Sequence, residues 1–123
     1  MTGKRGACME FTFEFIRMFA IGLFYTAPLL IALALTIVVL GHFIGKLEGW
    51  SKADALYHAF IAATTIGYGD FFPRKKRAKF LAVMIGFAGI VFTGIVVAVA
   101  IHAATHAFRQ THDVEKLIEQ VDK

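Results

Sequence analysis

Residues 63–73 read ATTIGYGDFFP and lie between two long apolar runs. A turn between two helices needs one glycine or one proline. This stretch sets two glycines around a tyrosine, follows them with an acid and closes on a proline. Two threonines precede it. That is more chemistry than a connection requires, and its flanks explain it.

No Asp, Glu, Lys or Arg occurs from Met18 to Gly45, nor from Phe80 to Phe108. Each run exceeds the roughly 20 residues that cross a bilayer. The chain therefore reads as crossing the membrane twice, with both termini on one side. The first run is too long for the h-region of a signal peptide and lacks a small-residue cleavage site. Pro28 lies within it and is a candidate kink. The whole composition agrees. Of 123 residues, 58% are hydrophobic and only 18% charged, against about 25% charged in soluble domains. The net charge of +4 points to anionic lipid head groups and not to nucleic acid. One cysteine, Cys8, excludes an intrachain disulfide framework.

Between the runs, Ser51 and Asp54 form a capping-box pattern that opens a helix KADALYHAFIAAT. Three turns, roughly 20 Å, cannot span, so this helix reads as re-entrant. Irregular backbone at membrane depth is tolerated only where protein buries it or where it lines a water-filled path. Glycine accepts positive φ. Alternating glycines in TIGYG can therefore switch the hand of successive residues and turn their carbonyls to one side. Such strands around an axis would stack rings of oxygens that replace the hydration shell of a monovalent cation. Two helices bury little against each other in lipid, which calls for several copies in closed symmetry.

The run Thr64-Thr65-Ile66-Gly67-Tyr68-Gly69-Asp70 matches the potassium-channel signature. The order span, half-helix, filter, span over about residues 20–108 resembles the two-transmembrane potassium channels of prokaryotes. The resemblance implies an all-α membrane protein with two transmembrane helices, a re-entrant pore helix, a selectivity-filter loop and a homotetrameric pore. Its segments would be an N-terminal interfacial segment (1–17), outer helix (18–45), pore helix (51–64), filter (65–70), inner helix (80–108) and cytoplasmic tail (109–123). It implies K⁺ held by Thr65, Ile66, Gly67 and Tyr68, with Gly69 completing the filter and Thr64 and Asp70 supporting it. Tyr68 would wedge its ring against the half-helix, and Tyr57 would donate a hydrogen bond to Asp70. Ile61 stands where certain relatives have a glutamate, which implies a filter with less pH sensitivity of its own. Gly89 falls at the family's hinge position, with helix packing the competing reason for a glycine there.

Helical spacing puts Ile90, Thr93, Val97, Ile101 and Thr105 on one face as the pore wall, with Gly86, Gly94, Ala98 and Ala103 left for close packing. His102 and His106 share another face, suited to packing more than to pH gating. Val114, Leu117, Ile118 and Val121 make a short apolar seam in the tail. The resemblance places the filter's outer end outside the cell, so Arg74, Lys75, Lys76 and Arg77, with Lys79, would sit outside against the positive-inside bias. There they would bind anionic lipid, repel entering cations or snorkel at the rim.

No catalytic triad, metal cluster or phosphate loop occurs, so an enzyme is not expected, and no organic cofactor beside permeant K⁺. The implied activity is passive K⁺ conduction in the plasma membrane with both termini cytoplasmic. The alternatives are a nonselective cation channel of the same architecture, against which Tyr68 argues, a pore subunit of a K⁺ transporter, against which the full GYG argues, and a small non-conducting accessory subunit. The gating stimulus is not legible, and the order of segments fits a minimal channel or the pore of a longer one equally.

Overall fold

The computed structural model describes residues 2–123, with side chains from residue 3 onward. It is helical throughout apart from its connections: α1 (Thr2–Glu48), α2 (Lys52–Ala63) and α3 (Lys76–Val121). Among the described residues no strand occurs. α1 and α3 are each long and apolar enough to cross a membrane.

α1 begins well ahead of the apolar run. Residues 2–17, expected as an interfacial segment, join it as one helix. Phe11, Phe15 and Phe19 stack four residues apart at 6.4 and 5.8 Å between ring centroids. The helix continues past Pro28. α3 likewise carries the tail to Val121, where Leu117, Ile118 and Val121 stay exposed.

The chain divides into two compact units. One comprises α1 as far as Thr26 together with α3 from Val96 onward; the other is Ala27–Ile95. In the first, Gly22 meets Val99 so closely that a Cβ at Gly22 would stand 2.5 Å from Val99 Cγ1. Ala103 and Ala107 are buried there.

The second unit contains α2. Ser51 caps it: its hydroxyl oxygen accepts the Asp54 N–H at 3.2 Å. A side-chain oxygen at this position satisfies one of the four unpaired donors of the first turn. α2 seats on α1 through small residues on both sides. A Cβ at Gly41 would lie 2.6 Å from Ala59 Cβ, and one at Gly45 2.5 Å from Ala55 Cβ. Gly41 and Gly45 are thus a GxxxG face matched to Ala55 and Ala59, the arrangement that lets helices approach in lipid where water provides no drive. The core of this unit gathers Ile37, Ile44, Ala59, Ala63, Ala78 and Ile85, with Ile44 and Ile85 fully enclosed.

Introducing a methyl at Gly41 is therefore expected to destabilise the unit by about 1–3 kcal/mol, the range of overpacking. A lower midpoint of thermal unfolding in detergent for Gly41→Ala, partly restored in Gly41→Ala/Ala59→Gly, checks it.

Candidate functional site: the loop after α2

α2 ends at Ala63, and Thr64 closes it with its N–H on the Phe60 carbonyl at 2.9 Å and its hydroxyl on the same oxygen at 2.6 Å. Beyond it the backbone turns irregular until α3. Three alternate residues have positive φ: Thr65 at 62°, Gly67 at 57° and Gly69 at 79°. Ile66 and Tyr68 between them do not. The hand thus switches residue by residue. Two of the three positions are glycines, as the sequence leads one to expect. Thr65 is not, and a β-branched residue there is an outlier that costs on the order of 1–3 kcal/mol unless its surroundings hold it. The hold is the end of α2. The Thr65 N–H donates to the Ala62 carbonyl at 3.3 Å and the Gly67 N–H to the Ile61 carbonyl at 3.2 Å. Ile61 itself is buried. Thr64 through Asp70 are all exposed in the single chain.

Gly89 of α3 lies directly against this helix end. A Cβ there would collide with the Ala63 carbonyl and α-carbon, which are backbone atoms with no rotamer to change. The close approach alone requires glycine. Of the other small residues on α3, Ala103 is buried, whereas a Cβ at Gly86 or Gly94 would meet open space within the chain. Ile90, Thr93, Val97, Ile101 and Thr105 all lie on an exposed face of α3. His102 is exposed and His106 half-buried.

At the far end of the loop, Asp70 lines a cleft of about 340 Å³ with Glu48, Trp50, Phe71, Phe72 and Arg74. Desolvation first, then a side-chain hydrogen-bonding interaction with Asp70 and its charge, with a smaller push from Tyr68, raise the Tyr57 phenol above its ordinary pKa. Tyr57 and Asp70 thus influence each other, but no hydrogen bond joins their side chains in the single chain, whereas His58 meets the Phe71 carbonyl at 3.1 Å. The Tyr68 ring, expected against the half-helix, is 71% exposed in the single chain.

Several residues here gave no signal in the sequence. Glu48, at the last position of α1, accepts the backbone N–H groups of Arg74 at 3.0 Å and Lys75 at 2.8 Å through one carboxylate oxygen. Those donors precede the first turn of α3, so a residue from another helix does the work of a cap. Trp50, His58 and Phe71 join Tyr57, which the sequence did single out, in an edge-to-face cluster, with centroids 5.1 Å apart for Trp50–His58, 5.4 Å for Trp50–Phe71 and 6.0 Å for Tyr57–Phe71. Arg74 stacks over Phe72 at 5.6 Å. A second groove, about 590 Å³, has apolar walls from Phe43, Leu47, Phe80 and Leu81 and carries Lys76 and Arg77.

The chain matches the Ion channel family over residues 29–106, more than half its length. It belongs to that family. Among curated proteins it is 35% identical over 74 residues to "Two pore potassium channel b" of Oryza sativa subsp. japonica, covering 60% of this chain and 21% of that protein. It is 33% identical over 69 residues to "TWiK family of potassium channels protein 7" of Caenorhabditis elegans (54% and 12%). It is 31% identical over 61 residues to "Potassium channel protein 1" of Methanocaldococcus jannaschii (50% and 18%). The chain spans about a fifth or less of the length of these relatives. No solved structure matches it.

Two outcomes follow. Gly89→Ala is expected to lower thermal stability and the yield of assembled protein, since backbone must move to admit the methyl; a purely hinge role would instead leave stability intact and change only opening. Glu48→Ala is expected to speed amide exchange at Arg74 and Lys75 by about fivefold, the equivalent of one net hydrogen bond, while Glu48→Gln, which keeps the acceptor oxygen, stays closer to the parent chain.

Proposed function

We propose that the chain is the pore-forming subunit of a K⁺-selective channel, conducting passively through a homotetramer. The observation that carries this reading is the alternation of hand at Thr65, Gly67 and Gly69 directly after a helix too short to span. An alternating backbone can direct successive carbonyls to one side, and four copies would stack them into rings that replace the hydration of K⁺. Thr65, Ile66, Gly67 and Tyr68 would coordinate the ion, Gly69 would complete the filter, and Thr64, Asp70 and Tyr57 would support it. The exposure of residues 64–70 supports the need for further copies, since polar backbone bare to lipid is not viable. The potassium-channel names of the three relatives favour K⁺ over other cations.

In this reading α2 is the pore helix, its carbonyl end favouring a cation in the cavity below. Ile90, Thr93, Val97, Ile101 and Thr105 line that cavity. Gly89 serves packing first, and any hinge there acts against the Ala63 contact. The tetramer lies in the plasma membrane with both termini cytoplasmic. Arg74, Lys75, Lys76 and Arg77 then reach the outer leaflet, where the groove carrying Lys76 and Arg77 suits an acyl chain below an anionic head group.

Purified protein in liposomes is expected to pass K⁺ over Na⁺ and to be blocked by barium. Gly67→Ala, which forces a side chain into positive φ, is expected to abolish that preference, read as a reversal potential moving toward zero in opposed K⁺ and Na⁺. Equal K⁺ and Na⁺ permeability in the parent protein would indicate the nonselective channel, and no flux the accessory subunit.

A further inference from the structure

The loop must be held at both ends. Its inner end has the Ile61 and Ala62 carbonyls, and its return to α3 has Glu48. Between them, from Tyr68 to Pro73, the backbone makes one hydrogen bond among the described residues, and a side chain provides it: His58 Nδ1 to the Phe71 carbonyl, 3.1 Å. The segment includes Gly69, whose φ changes sign at little steric cost, so nothing local fixes its peptides.

His58 is built to be that hold. It lies on α2, is 94% buried on a side otherwise formed by alanines and Ile61, and stands edge-on to Trp50 at 5.1 Å. A carbonyl only accepts, so Nδ1 carries the hydrogen of this bond. Nε2 is buried with no protein partner. The functional part of this imidazole is therefore one N–H group at Nδ1. Trp50 and Tyr57 pack their rings on Phe71, which places the carbonyl where that N–H meets it.

We infer that His58 is a positioning residue for the outer end of the filter, acting through the Phe71 carbonyl and touching no ion itself. The inference rests on the filter reading above. It assigns to α2 a second hold on the loop, beyond its carbonyl end, and ties the outer end of the filter to the same short helix that holds the inner end.

The test compares His58→Asn with His58→Leu in the full chain. The two side chains have the same number of heavy atoms and the same branching at Cγ. Asn presents an N–H where Nδ1–H was, and Leu presents none. In liposomes at low external K⁺, His58→Leu is expected to lose current or K⁺/Na⁺ discrimination about fivefold, the effect of one net hydrogen bond; His58→Asn should stay within about twofold of the parent. Equal behaviour of the two, whether both like the parent, both impaired or both unassembled, overturns the inference. Nitrogen NMR of the parent chain gives a readout independent of conduction. A protonated Nδ1 at His58 is expected, and a ring protonated at Nε2 alone overturns the inference even where the channel conducts. Protonated Nδ1 in a parent chain that passes no K⁺ would sink the filter reading and leave the His58–Phe71 hold standing.

Discussion

Everything in this chain answers to one constraint: a stretch of backbone without helix or sheet has to persist between two helices long and apolar enough to cross a membrane. Each peptide group left unpaired in hydrocarbon costs several kcal/mol. α1 and α3 meet the constraint by pairing internally. The loop after α2 cannot, because its residues alternate in hand at Thr65, Gly67 and Gly69. It is held from outside itself, by carbonyls at the end of α2, by His58 and by Glu48.

α2 is accordingly less a structural element in its own right than a mount. Twelve residues form an unstable helix in isolation. It persists because Gly41 and Gly45 of α1 admit Ala59 and Ala55, and because Gly89 of α3 admits the Ala63 backbone. Small residues on three helices bring main chains close enough that the end of α2 cannot shift. A tight mount can hold a threonine at positive φ, where an isolated strand would relax.

The aromatic cluster has the same logic at the other end. Trp50 and Tyr57 approach Phe71 edge-on, a preferred arrangement worth roughly 0.5–1.5 kcal/mol beyond area burial. Ring geometry fixes the position of Phe71, and the imidazole of His58 then meets its carbonyl. Asp70, next in sequence, is left facing the cleft toward Tyr57 and Arg74. Packing and polar contacts thus agree on one placement for the loop's outer end.

The sequence by itself determined the class of fold: charge-free runs of this length are long enough to cross a bilayer, a helix of three turns is not, and glycines in alternation mark backbone that regular structure excludes. Those are properties of neighbours along the chain, so they are legible in order. That residues 2–17 continue into α1 as one helix was not, because a segment of mixed polarity reads equally as a separate stretch along the membrane interface. Nor were Glu48, Trp50 and His58, whose partners lie up to 27 residues away. A glutamate at a helix end and a histidine within a short apolar helix carry no message alone. Only the tertiary structure decided that Gly89 faces a carbonyl and that Gly41 and Gly45 face alanines, because close approach belongs to two surfaces and is written in neither one.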